Sequence, residues 1–260
     1  WAAVGTQNGT QFKGTFDGQG FTISGIYLPA TSAYGTGLFG CIDSPTAAVK
    51  NLRFVNSYIE TAYNHVGSIV GWTLNAKLQN VYSNATIYRS TGIRTGGLVG
   101  HFDNAAGNLT IESCWYDGSM RINSSSGEQA HGGLVGYARA GLTTIDTCLF
   151  TGKLDVTFTG SASTLNLYVG GLVGETWAGS LAIKNTIAGG NMDVTWTNST
   201  GNHSLNRVGT ISGNTYSSQT KIENTYDVMN ARYKVVKKSD SWNVVTYPAG
   251  QDPTSGSVVN

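Results

Sequence analysis

The chain has 260 residues, 40% of them hydrophobic, enough for one sizeable core or two small ones. Charged residues contribute only 12%, and a formal net charge of +1 gives no electrostatic reason to expect nucleic acid or an anionic membrane as partner. Thirty-five glycines without a Gly-X-Y period exclude collagen, and no run of about 18 apolar residues is present to cross a bilayer as a helix.

In chain order, the opening Trp1-Ala-Ala-Val4 lacks the basic and apolar regions of a signal peptide, so the chain reads as a mature protein or an excised domain. Residues 1–11 are expected to begin a first coil, with Trp1 plugging its open end. The stretch Phe12-Lys-Gly-Thr-Phe-Asp17-Gly-Gln-Gly-Phe-Thr-Ile-Ser-Gly25 follows. One short motif then recurs: Gly35-Thr-Gly-Leu-Phe-Gly40, Val66-Gly-Ser-Ile-Val-Gly71, Thr95-Gly-Gly-Leu-Val-Gly100, His131-Gly-Gly-Leu-Val-Gly136, Val169-Gly-Gly-Leu-Val-Gly174 and Val208-Gly-Thr-Ile-Ser-Gly213. The closing glycines are 31, 29, 36, 38 and 39 residues apart, a period that marks a repeat architecture.

After each copy comes an apolar residue, a polar one, then Asn, Ser or Thr, at Asn51, Asn80, Ser113, Thr147, Asn185 and Asn224. A third segment, Met120/Ile122, Leu154/Val156 and Met192/Val194, alternates apolar with polar, the period of a half-buried strand. Three short strands per repeat make one coil of a parallel β-helix, in which each coil buries its apolar face only against its neighbours. The expected fold is all-β: a single-domain right-handed parallel β-helix of six to seven coils. The glycines are expected to supply positive φ at corners or close backbone approach. The Asn/Ser/Thr column is expected to form an internal ladder.

Gly-Gly-Leu-Val-Gly followed by Ile-x-Asn-x resembles the GLUG repeat of bacterial surface proteins, including the N-terminal region of some IgA-cleaving metallopeptidases. The likeness covers residues 12–233 and implies a surface or secreted bacterial protein. It implies no catalytic residues, and the peptidase zinc motif His-Glu-x-x-His is absent.

Residues 1–233 are thus assigned to the β-helix and 234–260 to a C-terminal capping hairpin and tail. The capping segment Tyr233–Tyr247 reads as strand, turn, strand, and its lysines suit a sheet edge. Insertions at 90–94, 123–131, 157–168 and 196–207 fall at equivalent points and are expected to share one corner, where repeat proteins often bind.

Aligning the repeats gives two candidate sites. Tyr88, Arg121, Asp155, Asp193 and Arg232 should form one outward column. Its stacked aspartates could serve as acid and base on a polysaccharide or hold one calcium, but the flanking arginines suggest charge balance. One residue after each closing glycine come Cys41, Trp72, His101, Tyr137, Glu175 and Asn214. Trp72, His101 and Tyr137, extended by Trp177, would make an aromatic strip suited to stacking on sugar rings. The Thr-x-Thr pairs Thr157/Thr159 and Thr195/Thr197 look like rows on ice-binding solenoids, but two coils are too few for an ice-matching face. Cys114 and Cys148 should be neighbouring buried thiols, and the four histidines lack metal-ligand spacing, so no metal or cofactor is expected.

The expected function is a non-enzymatic extracellular or cell-surface module, an adhesin or spacer, with a glycan or host surface protein as partner. A polysaccharide-acting enzyme using Asp155 and Asp193 and a self-assembling scaffold subunit are the alternatives.

Overall fold

The computed structural model describes residues 1–6, 9–29, 35–89, 92–125, 128–159, 166–199, 207–215, 219–237 and 244–247. Every element among them is a strand, and the strands stack in three sheets wound as a right-handed β-helix. The glycine motif opens each coil with the six strands Gly35–Thr36, His65–Gly67, Arg94–Gly96, Gln129–Gly132, Leu167–Gly170 and Arg207–Gly209, all parallel. The chain then reverses into a 16-stranded sheet that carries the Asn/Ser/Thr column. The third sheet stacks Tyr27–Leu28, Tyr58–Thr61, Thr86–Arg89, Ser119–Ser124, Lys153–Phe158, Asn191–Ser199 and Asn230–Lys237 in parallel. The coils are therefore in register: Thr95 lies beside Val66 and His131, and Leu154 beside Met120 and Met192.

Two local devices turn the chain. The first is the glycine arch. A Cβ on Gly132 would sit 2.0 Å from the Val135 carbonyl oxygen across the arch, and one on Gly133 would sit 1.9 Å from the Gly171 oxygen of the next coil. None of these motif glycines has a positive φ; of the two roles expected for them, close approach is the one they perform. The second device is the left-handed residue. Positive φ falls on Asn51, Asn80, Ser113, Thr147, Asn185 and Asn224, between 46° and 54°. Asn adopts this region more readily than most residues because its short amide can bond locally.

That conformation corrects the expected internal ladder. At the first five of these six corners the column residue faces out while the following one (Leu52, Val81, Cys114, Cys148 or Thr186) turns into the core. The ladder exists, but on the surface. The Asn80 amide donates to Asn51 Oδ1 at 3.0 Å, Asn51 to Asp17 at 3.0 Å, Asn185 to Asp146 at 3.0 Å and Asn224 to Asn185 at 3.3 Å.

The core is filled by one aliphatic residue at the same place in each arch, Leu38, Ile69, Leu98, Leu134, Leu172 and Ile211, and by inward rows such as Ile59, Ile87, Met120, Leu154 and Met192. Each such side chain contributes about 1.5–3 kcal/mol by leaving water. One inward position holds Arg89, fully buried, where the next coils place Ile122 and Val156. Its guanidinium donates to the carbonyls of Tyr63, Asn64 and Arg94 and to the Thr95 hydroxyl, so the charge ties the corner together. Cys114 and Cys148 are buried free thiols, as expected, and so is Cys41.

Each end carries a partial cover. Phe12 and Phe16 pack on Phe39, with ring centroids 4.9 and 5.6 Å apart, and form the N-terminal plug. Trp1 does not: it is 61% exposed, because the chain enters the stack only at the Val4–Phe39 bridge. At the other end Val244–Tyr247 pairs antiparallel with Asn230–Lys237, which ends the parallel edge of the third sheet. The turn at 238–243 and the tail at 248–260 lie outside the described residues. The four insertions all run from a third-sheet strand to a glycine-arch strand, at one corner. Their residues 90–91, 126–127, 160–165 and 200–206 also lie outside the described part. Among the described residues no helix is long and apolar enough to cross a membrane.

Candidate functional site

The aspartate column is real. Tyr88, Arg121, Asp155, Asp193 and Arg232 are paired in that order across successive coils. Each carboxylate has its own cation. Arg232 grips Asp193 with two bonds of 2.8 and 3.2 Å, and Lys153, two residues back on the same strand, reaches Asp155 at 2.7 Å. The planar guanidinium matches the carboxylate fork, so Asp193 is held in one orientation. Lys153 was not part of the aligned column, because its contact runs along the strand rather than up the stack.

Asp155-Val-Thr-Phe-Thr159 and Asp193-Val-Thr-Trp-Thr197 bury Val156, Phe158, Val194 and Trp196, leaving Thr157, Thr159, Thr195 and Thr197 turned outward. In the preceding coil the place of Thr157 is taken by Asn123.

The column after the closing glycine is also in register: Cys41, Trp72, His101, Tyr137, Glu175 and Asn214 follow one another up the stack. Its aromatic members stack, with His101 5.1 Å from Tyr137 and the His65 ring of the glycine-arch sheet 4.5 Å from His101. The Arg94 guanidinium lies 4.2 Å over the Tyr137 ring. Yet the column is covered rather than presented. Trp72 is only 8% exposed, His101 and Tyr137 are buried, and Trp177 alone is open at 43%. No ring of the strip apart from Trp177 is open to solvent. The arch explains this, since it folds the His65–Arg94 column back against the His101–Tyr137 column.

Burial dominates the chemistry of this inner column. It holds the His65 imidazole down to about 3 and His101 well below its ordinary value, so both are neutral. Glu175 moves the other way. Burial and the nearby Glu128 carboxylate push it up to about 8, against a smaller pull from the Asn214 amide and the Arg94 guanidinium. Neither carboxylate oxygen makes a hydrogen bond of ordinary geometry. Among the described residues no group of three or more His, Cys, Asp or Glu side chains is placed to hold a metal.

The exposed aromatics lie elsewhere. Two residues after each Asn/Ser/Thr position come Arg53, Tyr82, Trp115, Leu149, Ile187 and Tyr226, paired in that order. Tyr82 and Trp115 are 4.8 Å apart, Arg53 caps Tyr82 at 4.6 Å, and Trp115 is 38% exposed. Beside them a groove of about 390 Å³ runs over Gly118 and Gly152, flanked by Asn84, Asp117, Thr151 and Lys153. This column was within reach of the repeat alignment, by counting two residues on from the ladder instead of eight. A second cleft of about 600 Å³, at Leu142, Ser180, Leu181 and Lys221, offers few polar groups.

Three stacked faces, glycine arches and left-handed corners define a repeat solenoid of the parallel β-helix class. No family model matches the chain. Over 123 residues, 47% of this chain, it is 34% identical to Halomucin of Haloquadratum walsbyi, and the match spans 1% of that protein's length. A Bacteroides ovatus protein described as a "putative immunoglobulin A1 protease" has a similar solved structure. The TM-score is 0.63 and the identity 21%, over 98% of this chain and 70% of that one. At that identity the likeness is one of fold.

Proposed function

We propose that this chain is a non-catalytic module of a bacterial surface or secreted protein, an adhesive spacer of the GLUG-repeat type that works outside the cell. The observation that carries this reading is the neutralised exterior: Asp193 is clamped by Arg232 and Asp155 held by Lys153, so the two carboxylates that a β-helix enzyme would need are each engaged by a cation. A stack of parallel coils in register suits a segment that holds other parts of a longer chain apart, and the partial match to Halomucin is in keeping with such a place. Its partners on this reading are glycans or host surface proteins. The test is incubation with pectin, xylan and mucin glycans, followed by an assay for new reducing ends. None is expected; reducing ends that disappear in Asp155→Asn and Asp193→Asn would establish the enzyme instead.

A further inference from the structure

We infer that the groove beside Tyr82 and Trp115 is a binding site for a linear, uncharged glycan lying parallel to the solenoid axis. The inference rests on the reading of the chain as an adhesive module and names the ligand class and the surface.

Five features of the groove converge on that ligand. Its floor is bare backbone. Gly118 and Gly152 follow one another up the stack, and a Cβ on either would meet a carbonyl oxygen of the coil below at 2.2 or 2.3 Å, so no side chain rises from it. Next to the lining stands the Tyr82–Trp115 pair, with Trp115 bonded to the lining residue Thr151 and with Leu149 and the exposed Ile187 following up the stack. Aromatic faces of this kind accept the C–H faces of pyranose rings while their polar edges stay hydrogen-bonded. The Trp115 edge is already fixed: its indole N–H donates to Thr151 Oγ1 at 2.7 Å, and Thr151 donates to Asp117 at 2.6 Å. The ring is therefore held in place before any ligand arrives, which lowers the ordering cost of binding.

The other features are polarity and charge. Asn84, Asp117, Ser119 and Asn191 present amides, a carboxylate and a hydroxyl along the groove, a donor and acceptor set suited to sugar hydroxyls. Lys153 spends its charge on Asp155 at 2.7 Å, which leaves the Asp117 carboxylate to set the local sign. Anionic glycans are thereby disfavoured and neutral ones preferred. Length completes the fit. The lining residues come from four successive coils, and at about 4.8 Å per coil the groove runs roughly 14 Å. A pyranose in an extended chain advances by about one coil, so a tri- or tetrasaccharide spans the site.

The experiment titrates the intact chain with cello-, xylo- and manno-oligosaccharides of one to six units, read by tryptophan fluorescence and calorimetry. Affinity for at least one series should rise with length up to about four units and then level off. Trp115→Ala should weaken binding at least tenfold, and Asp117→Asn several-fold, each with an unchanged β-sheet circular dichroism spectrum. If Trp115→Ala fails to fold, Asp117→Asn and the length series still decide. The site is overturned if no series binds at millimolar concentration, if monosaccharides bind as well as tetrasaccharides, or if Trp177→Ala abolishes binding and Trp115→Ala does not. Absence of binding without new reducing ends sinks this inference alone, whereas new reducing ends sink the non-catalytic reading beneath it.

Discussion

Replacing Glu175 by Gln should change how stability depends on pH, by an amount the structure sets. Glu175 is fully buried between Tyr137 and Asn214 of the neighbouring coils. Its folded value of about 8 lies above the ordinary 4.5 of the unfolded chain. Between those two values the unfolded chain has released the proton and the folded one has not, so stability is full below about pH 4.5 and declines as pH rises toward 8. At about 1.4 kcal/mol per pH unit the whole loss is ~5 kcal/mol, an order-of-magnitude figure. Gln keeps the shape and does not titrate. The difference in unfolding free energy between Glu175→Gln and the parent should thus be flat in acid and grow by several kcal/mol up to pH 8. His65, His101 and His131 are also buried and neutral, and their contribution is lost as pH falls below about 6.5. They are common to both proteins and cancel in the difference, although they place the parent's maximum near pH 6.5. Urea denaturation followed by tryptophan fluorescence from pH 4 to 9 measures both curves. Parallel curves across that range would refute the assignment of a buried, protonated Glu175.

The corner at Asn80 gives a second prediction. Asn80→Ala forces a Cβ without a local amide into the left-handed region and loses the bond to Asn51, for a cost of about 1–2 kcal/mol in thermal denaturation. Asn80→Gly keeps the conformation and should recover most of the loss. At the arch, Gly133→Ala sets a methyl against the Gly171 oxygen and the Phe150 ring and should cost about 3 kcal/mol or more, seen as a lower urea midpoint. Leu98→Ala, in the arch of the preceding coil, opens a cavity and should cost about 2–5 kcal/mol by the same measurement. Cys114 and Cys148 should react with a thiol reagent only after denaturation, and reduction should leave the mass of the native chain unchanged.

The repeat carried most of the fold because a solenoid turns sequence period directly into spatial neighbourhood. Aligning the closing glycines placed Asp155 beside Asp193 and His101 between Trp72 and Tyr137, pairings that the register reproduces. An alignment says which residues are neighbours up the stack; it does not say which way they face or what lies opposite. The Asn/Ser/Thr column was therefore legible as a ladder but not as an outer one, since its direction depends on the left-handed φ of each corner. The aromatic strip was legible as a strip but not as covered, since the arch brings His65 and Arg94 across from it. The Lys153 contact and the bare-floored groove beside Trp115 arise along the strand and around the corner, directions that a vertical alignment does not sample. Sequence alone determined the number of coils, their register and their apolar interior, because hydrophobic period and glycine spacing act locally. Tertiary structure decided exposure, charge pairing and the candidate site, because these depend on atoms brought together from different faces of a coil.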